Sequence, residues 1–298
     1  MILEDSIPVN NLWTALLNFN AQTRPDPSCK TIIKRAGPAR ICISAVTRRP
    51  KQDCQSPGWY WLYGLHAVEA ALLNQDRNKG DLLCTRNAAY RLGPVLEKVR
   101  VQPTISNRAK FTAVLGDVVH QGAVLHVQQL TPPRLATIAR QPGCRSILVL
   151  DQITDPRNVG AIMRSAGAFG TSAMITQWRH AAPETAVLAK AASGGLEHIP
   201  YVRVRNLSRA LDFLRGEGFV VIGLESRAAR SLASVMGEQA PAPLAVVLGS
   251  EDRGLRQGTR EHCDHLAAIR HTGPIPSLNV SNAAAIALSL MGGRANLS

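Results

Sequence analysis

LDQITDPRNVGAIMRSAGAFG, residues Leu150–Gly170, reads as the end of a strand, a polar loop and a helix. The apolar run Ile147–Asp151 supplies the strand and Asn158–Phe169 the helix. In the loop, Asp155 suits a helix cap and Pro156 the first helical position. Ligands in open α/β sheets sit at such carboxyl ends of strands. Asn158 and Arg164 are six residues apart, about 240° around an ideal helix. If both serve one site, Asn158 must lie in the loop or the first turn. Gly160, Ala161, Ala166, Gly167 and Ala168 would let this helix pack very closely. Taken alone, the unit is a common one with an incidental arginine.

The same alternation continues on both sides. Ser172–Thr176, Phe219–Gly223 and Leu244–Leu248 read as apolar strands. Pro183–Ser193 reads as a helix with Pro in its first turn and Gly194-Gly195 past its end. Leu207–Leu214 is an amphipathic helix, and Ser281–Met291 an Ala-rich one that Ser281 or Asn282 would cap. Apolar strands between helices predict an α/β fold with a parallel sheet covered on both faces. Upstream, Tyr63–Leu73 and Ala88–Val99 (interrupted near Gly93-Pro94) read as helices, and Asp81–Thr85 and Gly122–Val127 as strands. The expected organisation is a basic leader over 1–58, a small α/β module over 59–130, a Pro-rich linker over 131–143 and a second domain over 144–298. The leader is expected to be disordered. It is either a basic tail beside an RNA-binding protein or a leader with no role.

The 298 residues carry a net charge of +13, from 34 basic and 21 acidic side chains. Residues 1–58, 59–130 and 131–298 each have a basic excess. A polyanionic partner, nucleic acid foremost, is the natural inference; the plainer alternative is a basic-leaning proteome. Aromatics make up only 4%, which argues against a base-stacking sheet of the RRM type. No pair among Cys29, Cys42, Cys54, Cys84, Cys144 and Cys263 forms a C-x-x-C or a zinc spacing, and His262, Cys263 and His265 lack a second ligand pair. No metal is expected, and the chain reads as intracellular and reduced. No apolar run reaches the roughly 18 residues of a membrane span, and Glu4 and Asp5 sit where a signal peptide would be positive.

Two further segments carry polar groups beside strand and helix ends. Leu244–Leu255, LAVVLGSEDRGL, runs a strand into an acidic turn in which Gly249 permits close approach of backbone to a ligand and Glu251 can accept hydrogen bonds. By itself it is equally a solvated turn. Ile269–Leu290, IRHTGPIPSLNVSNAAAIALSL, brings Ser277, Leu278, Asn279, Val280, Ser281 and Asn282 to a helix start. That is more polarity than capping needs, although a cap alone is possible. No dinucleotide loop, Walker loop, nucleophile elbow or H-E-x-x-H is present.

In this order, the three segments resemble the signature motifs of the SpoU (TrmH-type) RNA 2′-O-methyltransferases of the SPOUT class. Asn158 and Arg164 match the first motif; Gly249, Glu251, Gly254 and Leu255 the second; Ser277 to Ser281 the third. Gly64–Val68 and His120–Gly122 resemble the ends of the family's N-terminal RNA-binding module, and Thr259–Asp264 resembles a stretch of its RlmB branch. The resemblance covers about residues 59–298. It implies an RNA substrate-binding domain over 59–130 and a catalytic domain over 144–298 with a C-terminal trefoil knot. It implies S-adenosylmethionine held largely by backbone groups at Gly249, Ile269 and Leu278, and a cytoplasmic homodimer whose sites use both subunits. The implied reaction is methyl transfer to a ribose 2′-OH, on a guanosine of large-subunit (23S) ribosomal RNA. The alternatives are a transfer RNA target, or a non-catalytic ribosome-assembly factor on the same fold. Arg164 is then either an unusual base or a phosphate-positioning cation, with Asn158, Glu251, Ser277 and Asn279 orienting the groups around it. One position departs: the branch usually has Ile-Pro where this chain has Ile269-Arg270, so Arg270 either reshapes the cofactor loop or adds a phosphate contact.

Overall fold

The computed structural model describes residues 58–275 and 277–295. The expected leader therefore lies outside the described residues, apart from Gly58.

The first sheet is built from β1 (Trp59–Tyr63), β2 (Lys79–Cys84), β3 (Thr104–Ile105) and β4 (Ala123–Gln128) in the order β1-β4-β2-β3. The aromatic β-formers of WYWLY make β1 a strand that ends at Tyr63, so the helix expected from Tyr63 begins two residues later. Helices α1 (Leu65–Leu73), α2 (Arg86–Arg91), α3 (Gly93–Val99) and α4 (Arg108–Leu115) accompany it. The expected interruption near Gly93-Pro94 falls between α2 and α3. The stretch 131–143 is more than a linker, because it contains α5 (Leu135–Ala139) with Ile138 buried.

The second sheet has β5 (Ser146–Leu150), β6 (Ala173–Gln177), β7 (Tyr201–Val204), β8 (Val220–Leu224), β9 (Leu244–Leu248) and β10 (His265–Ala267), all parallel, in the order β10-β8-β9-β5-β6-β7. Its helices are α6 (Pro156–Ala168), α7 (Ala186–Ala192), α8 (Leu207–Gly216), α9 (Leu232–Glu238), α10 (Gln257–Arg260) and α11 (Val280–Ala295). Alternate strand residues point to opposite faces. Ile147, Val149, Ala245 and Val247 share a core with Leu207, Leu211 and Leu214 of α8. Leu148, Leu150, Val246 and Leu248 share the other with residues of α6, α7, α9 and α11. The sheet is thus covered on both faces, as its unbroken apolar strands predict. The second core continues into Leu62, Val68 and Leu125 of the small module.

Two departures concern helix starts. α7 begins at Ala186 rather than Pro183, because the Thr185 hydroxyl caps it by accepting from the Leu188 amide at 3.3 Å. α11 begins at Val280, capped by Asn279 and not by Ser281 or Asn282: the Asn279 Oδ1 accepts from the Ser281 amide at 2.9 Å. Close packing of α6 is tightest at Gly160, and Ala166 is fully buried. A Cβ on Gly160 would lie 2.5 Å from the Leu188 carbonyl oxygen and 2.5 Å from the Ala191 Cβ of α7. Gly167 and Ala168 are exposed.

The module is tied to the parallel-sheet domain by an ionic cluster. Arg77 is 2% exposed. Its Nη1 donates to Glu184 Oε1 at 2.6 Å and to the Gln128 carbonyl at 2.8 Å, and its Nη2 to Glu197 Oε1 at 2.5 Å. The Tyr60 hydroxyl donates to Glu184 at 2.8 Å and Asn74 to Glu197 at 2.7 Å. Burial, then the charge of Glu184, pushes the Tyr60 pKa upward, so the phenol remains a donor.

Candidate active site at the carboxyl edge of the parallel sheet

The chain leaves β5 at Asp151 and enters α6 five residues later, at Pro156. Asp155 caps the helix by accepting from the Arg157 amide at 2.8 Å, and Pro156 occupies its first position. Asn158 therefore lies in the first turn, at the sheet edge. The chain leaves β9 through Gly249 into a turn closed by the Gly254 amide on the Ser250 carbonyl at 2.9 Å. A Cβ on Gly249 would lie 2.1 Å from the Gly254 carbonyl carbon, so only glycine allows the turn to fold back this tightly.

These segments and the start of α11 meet at one carboxylate oxygen. Glu251 Oε1 accepts from Asn158 Nδ2 at 3.0 Å, from Asn279 Nδ2 at 2.8 Å and from the Val280 amide at 3.2 Å. Asn279 Nδ2 also lies 3.3 Å from Asn158 Oδ1, and its own Oδ1 accepts from the Ser281 hydroxyl at 2.5 Å. Each asparagine has amide donors and a carbonyl acceptor, and both use their donors on the acidic turn. A carboxylate at the α11 N-terminus also meets the positive end of the helix dipole.

Beside this cluster lies a cavity of about 420 Å³. Gly249, Glu251, Ile269, Ser277 and Leu278 line it, together with Leu224, Leu248, Leu255 and Val280. Arg270 is not among the lining residues; its guanidinium donates to the Ala229 carbonyl and holds the strand-exit segment against the loop before α9.

Arg164 is placed elsewhere. It is exposed on α6 and lines a separate cavity of about 780 Å³ with Tyr63, His66, Arg157 and Lys190, between the small module and α6 and α7. The structure thus brings Asn158, Glu251 and Asn279 into contact, puts Gly249, Ile269, Ser277 and Leu278 around the adjoining cavity, and leaves Arg164 on another face of its helix.

A model of the SpoU rRNA methylase family matches residues 145–289, and a model for RNA 2′-O ribose methyltransferase substrate binding matches residues 61–133. The 23S rRNA (guanosine-2′-O-)-methyltransferase RlmB of Salmonella typhi is 34% identical over 237 residues, 76% of this chain and 95% of that protein. The chain belongs to the SpoU rRNA methylase family. An uncharacterized tRNA/rRNA methyltransferase of Synechocystis is 35% identical over 236 residues, and there the match spans 60% of the relative's length. Among solved structures, the SpoU methyltransferase AviRb from Streptomyces viridochromogenes, in complex with AdoMet, superposes with a TM-score of 0.66 at 22% identity, covering 81% of this chain and 91% of that one. This likeness extends the family assignment to the fold.

Two parts of this candidate site escaped the sequence reading. Asp151, fully buried, accepts from Arg256 Nε at 2.8 Å and from the Arg256 amide at 3.1 Å, which pins the segment after Leu255 across the sheet edge. Glu225, Ser226 and Arg227, just past β8, also line the cavity. Their available signal was position alone: each follows the carboxyl end of a parallel strand. Among the described residues, no group of three His, Cys, Asp or Glu could hold a metal ion, and no helix is long and apolar enough to cross a membrane.

Proposed function

We propose that this chain transfers a methyl group from S-adenosylmethionine to the ribose 2′-OH of a guanosine in 23S ribosomal RNA. The observation that carries this reading is the convergence of Asn158, Glu251 and Asn279 beside the 420 Å³ cavity. RlmB relatives named for that reaction, matched over 95% of their length in Salmonella, supply the target. The cytoplasm is the compartment that fits a ribosomal RNA substrate.

The cavity fits the cofactor. Its volume lies within the range of about 300–1,000 Å³ common for small-molecule sites. Leu224, Leu248, Leu255, Ile269 and Leu278 offer apolar walls for a purine, and Glu251 a carboxylate for a cationic end, while Glu225 is paired with Arg260 at 3.0 Å on the same wall. Gly249, Ile269 and Leu278 would hold it through backbone groups. When bound, the cofactor supplies an electrophilic methyl on a sulfonium. Glu251, tethered by two asparagines and a helix amide, fixes the geometry of the wall it forms. A ribose hydroxyl is a weak nucleophile until a base or polarising group acts on it. Guanidinium groups hold their protons tightly, so Arg164 serves as a cation that holds an RNA phosphate, with Arg157 and Lys190 at the same cavity. Much of the rate then comes from holding the hydroxyl in line with the methyl.

Arg164 lies away from Glu251 on α6, which supports a homodimer in which each site draws Arg164 from one subunit and the cofactor cavity from the other. The packing of α11 against α6 and α9 is consistent with the trefoil knot that the family resemblance implies.

Glu251→Ala should weaken S-adenosylmethionine binding about 10-fold, the equivalent of one lost hydrogen bond of about 1.4 kcal/mol, because the cavity wall loses the acceptor that tethers it. Glu251→Gln, which keeps one acceptor oxygen, should lose less. Calorimetric titration with the cofactor checks both; equal affinities across the series would remove Glu251 from the site. The function itself is tested by labelled methyl transfer onto 23S ribosomal RNA and transfer RNA transcripts, followed by mapping of the 2′-O-methyl. A modified guanosine in the 23S transcript is the expected result. Modification of transfer RNA alone would change the target, and RNA binding without transfer would favour an assembly factor.

A further inference from the structure

A second concave site opens on the same edge of the parallel sheet. It has a volume of about 410 Å³ and lies at the carboxyl ends of β6 and β7. Arg179, His180, Arg205 and Arg256 line it, with the start of α8. Arg179 and Arg205 are exposed and form no ion pair among the described residues. Arg256 is held in place by the buried carboxylate of Asp151. Adjoining this cavity is Trp178, 59% exposed. Its amide donates to the Val204 carbonyl at 2.8 Å and its carbonyl accepts from Arg203 Nη2 at 2.8 Å, so its backbone is anchored at both ends. The Arg203 guanidinium lies 4.3 Å from the ring centroid. The indole is thus more than half exposed, with a guanidinium over its ring, and is not a core residue.

We infer that this arrangement is a second RNA subsite, in which an unpaired base stacks on Trp178 while Arg179, Arg205 and Arg256 hold flanking phosphates. The inference rests on the reading of the Glu251 cavity as the site of RNA methyl transfer. Aromatic faces beside cationic grooves bind single-stranded nucleic acid with little sequence preference. An acidic peptide would engage the arginines but would leave the indole without a partner, which favours RNA. Strand order supplies the link to the reaction. β6 lies two strands from β9, roughly 10 Å across the sheet at the usual strand spacing. One RNA strand running along the carboxyl edge can therefore occupy both places, and Arg256 lies on the segment that leaves the Glu251 turn between them.

The test is fluorescence anisotropy with the full chain and a short labelled single-stranded RNA. Trp178→Ala should weaken binding about 10-fold, within the range for loss of one base–aromatic stack, and Trp178→Phe should bind close to wild type. Arg179→Ser combined with Arg205→Ser should reduce the slope of log K against log salt by about 1.4, the value for two single-strand phosphate contacts. Cofactor affinity should be the same in every variant, which shows that the fold is retained. Binding within twofold of wild type for both Trp178→Ala and the arginine pair would overturn the subsite. So would displacement of the RNA by a glutamate-rich peptide with an affinity dependent on the arginines but not on Trp178. If the wild-type chain methylates its transcript while these variants bind and methylate equally well, the subsite fails and the methyl-transfer reading stands. If the wild type transfers no methyl, that reading fails, and the anisotropy series still decides whether Trp178 and the arginines bind RNA.

Discussion

Arg164→Ala should lower the rate of methyl transfer by at least about 100-fold, in the range typical of losing a positioning or proton-transfer group. Asp155 and Pro156 start α6 so that Asn158 reaches the Glu251 turn, and the helical period then carries Arg164 about 240° away. Arg164 is exposed there, so its truncation removes no core contact, and a surface change of this kind should shift stability by no more than about 0.5 kcal/mol. It does not line the cavity assigned to the cofactor, so cofactor affinity should also be preserved. The loss should fall on turnover with RNA bound, read in single-turnover assays with labelled cofactor. Arg164→Lys separates the two roles: a phosphate-holding cation is partly replaced by lysine, although the paired geometry of a guanidinium is lost. Near-normal turnover of Arg164→Ala would remove the residue from the reaction.

The largest effect on stability should come from Arg77→Met, at about 3–5 kcal/mol, the range for breaking a buried ion pair from one side. Glu184 and Glu197 are themselves nearly enclosed, and both would be left without their cation. Burial pulls the Arg77 pKa down, but hydrogen bonding and charge from Glu197, with Glu184, more than offset this, and it ends above the ordinary arginine value. Replacing all three by neutral residues, Arg77→Met with Glu184→Gln and Glu197→Gln, should recover much of the loss, since no charge is then stranded. Urea denaturation of the two variants gives the comparison; equal midpoints would show that the cluster contributes packing rather than charge. Because Arg77 and Tyr60 come from the small module and Glu184 and Glu197 from the parallel-sheet domain, the single variant should also weaken RNA binding more than cofactor binding.

The strands of the parallel sheet were legible because they are apolar on both faces, and Leu244–Leu248 is buried at every position. The short strands β7 and β10, of four and three residues, carry too little periodicity to be read. Helix caps were legible where one candidate stood alone, as at Asp155. At α11, four polar residues compete within Ser277–Asn282, and local sequence does not choose among them. Asn279 caps because its amide also reaches Glu251, a contact made 28 residues away in the chain.

The low aromatic content argues against a base-stacking sheet of the RRM type, but composition does not give the placement of a single ring. Trp178 is exposed beside arginines from three separate segments. The same limitation hid the Arg77 cluster, whose glutamates lie more than 100 residues downstream.

Sequence alone determined what depends on near neighbours. It specified alternating strands and helices, the start of α6, the tight turn that needs Gly249, and the three motifs that identify the family. Tertiary structure decided what depends on distant partners: the gathering of those motifs on one carboxylate oxygen, the separation of Arg164 from it, the buried salt-bridge joint, and the second basic cavity. The physical reason is that backbone propensity and periodicity act over a few residues. Hydrogen bonds and ion pairs between side chains depend instead on which strand ends the sheet order makes adjacent.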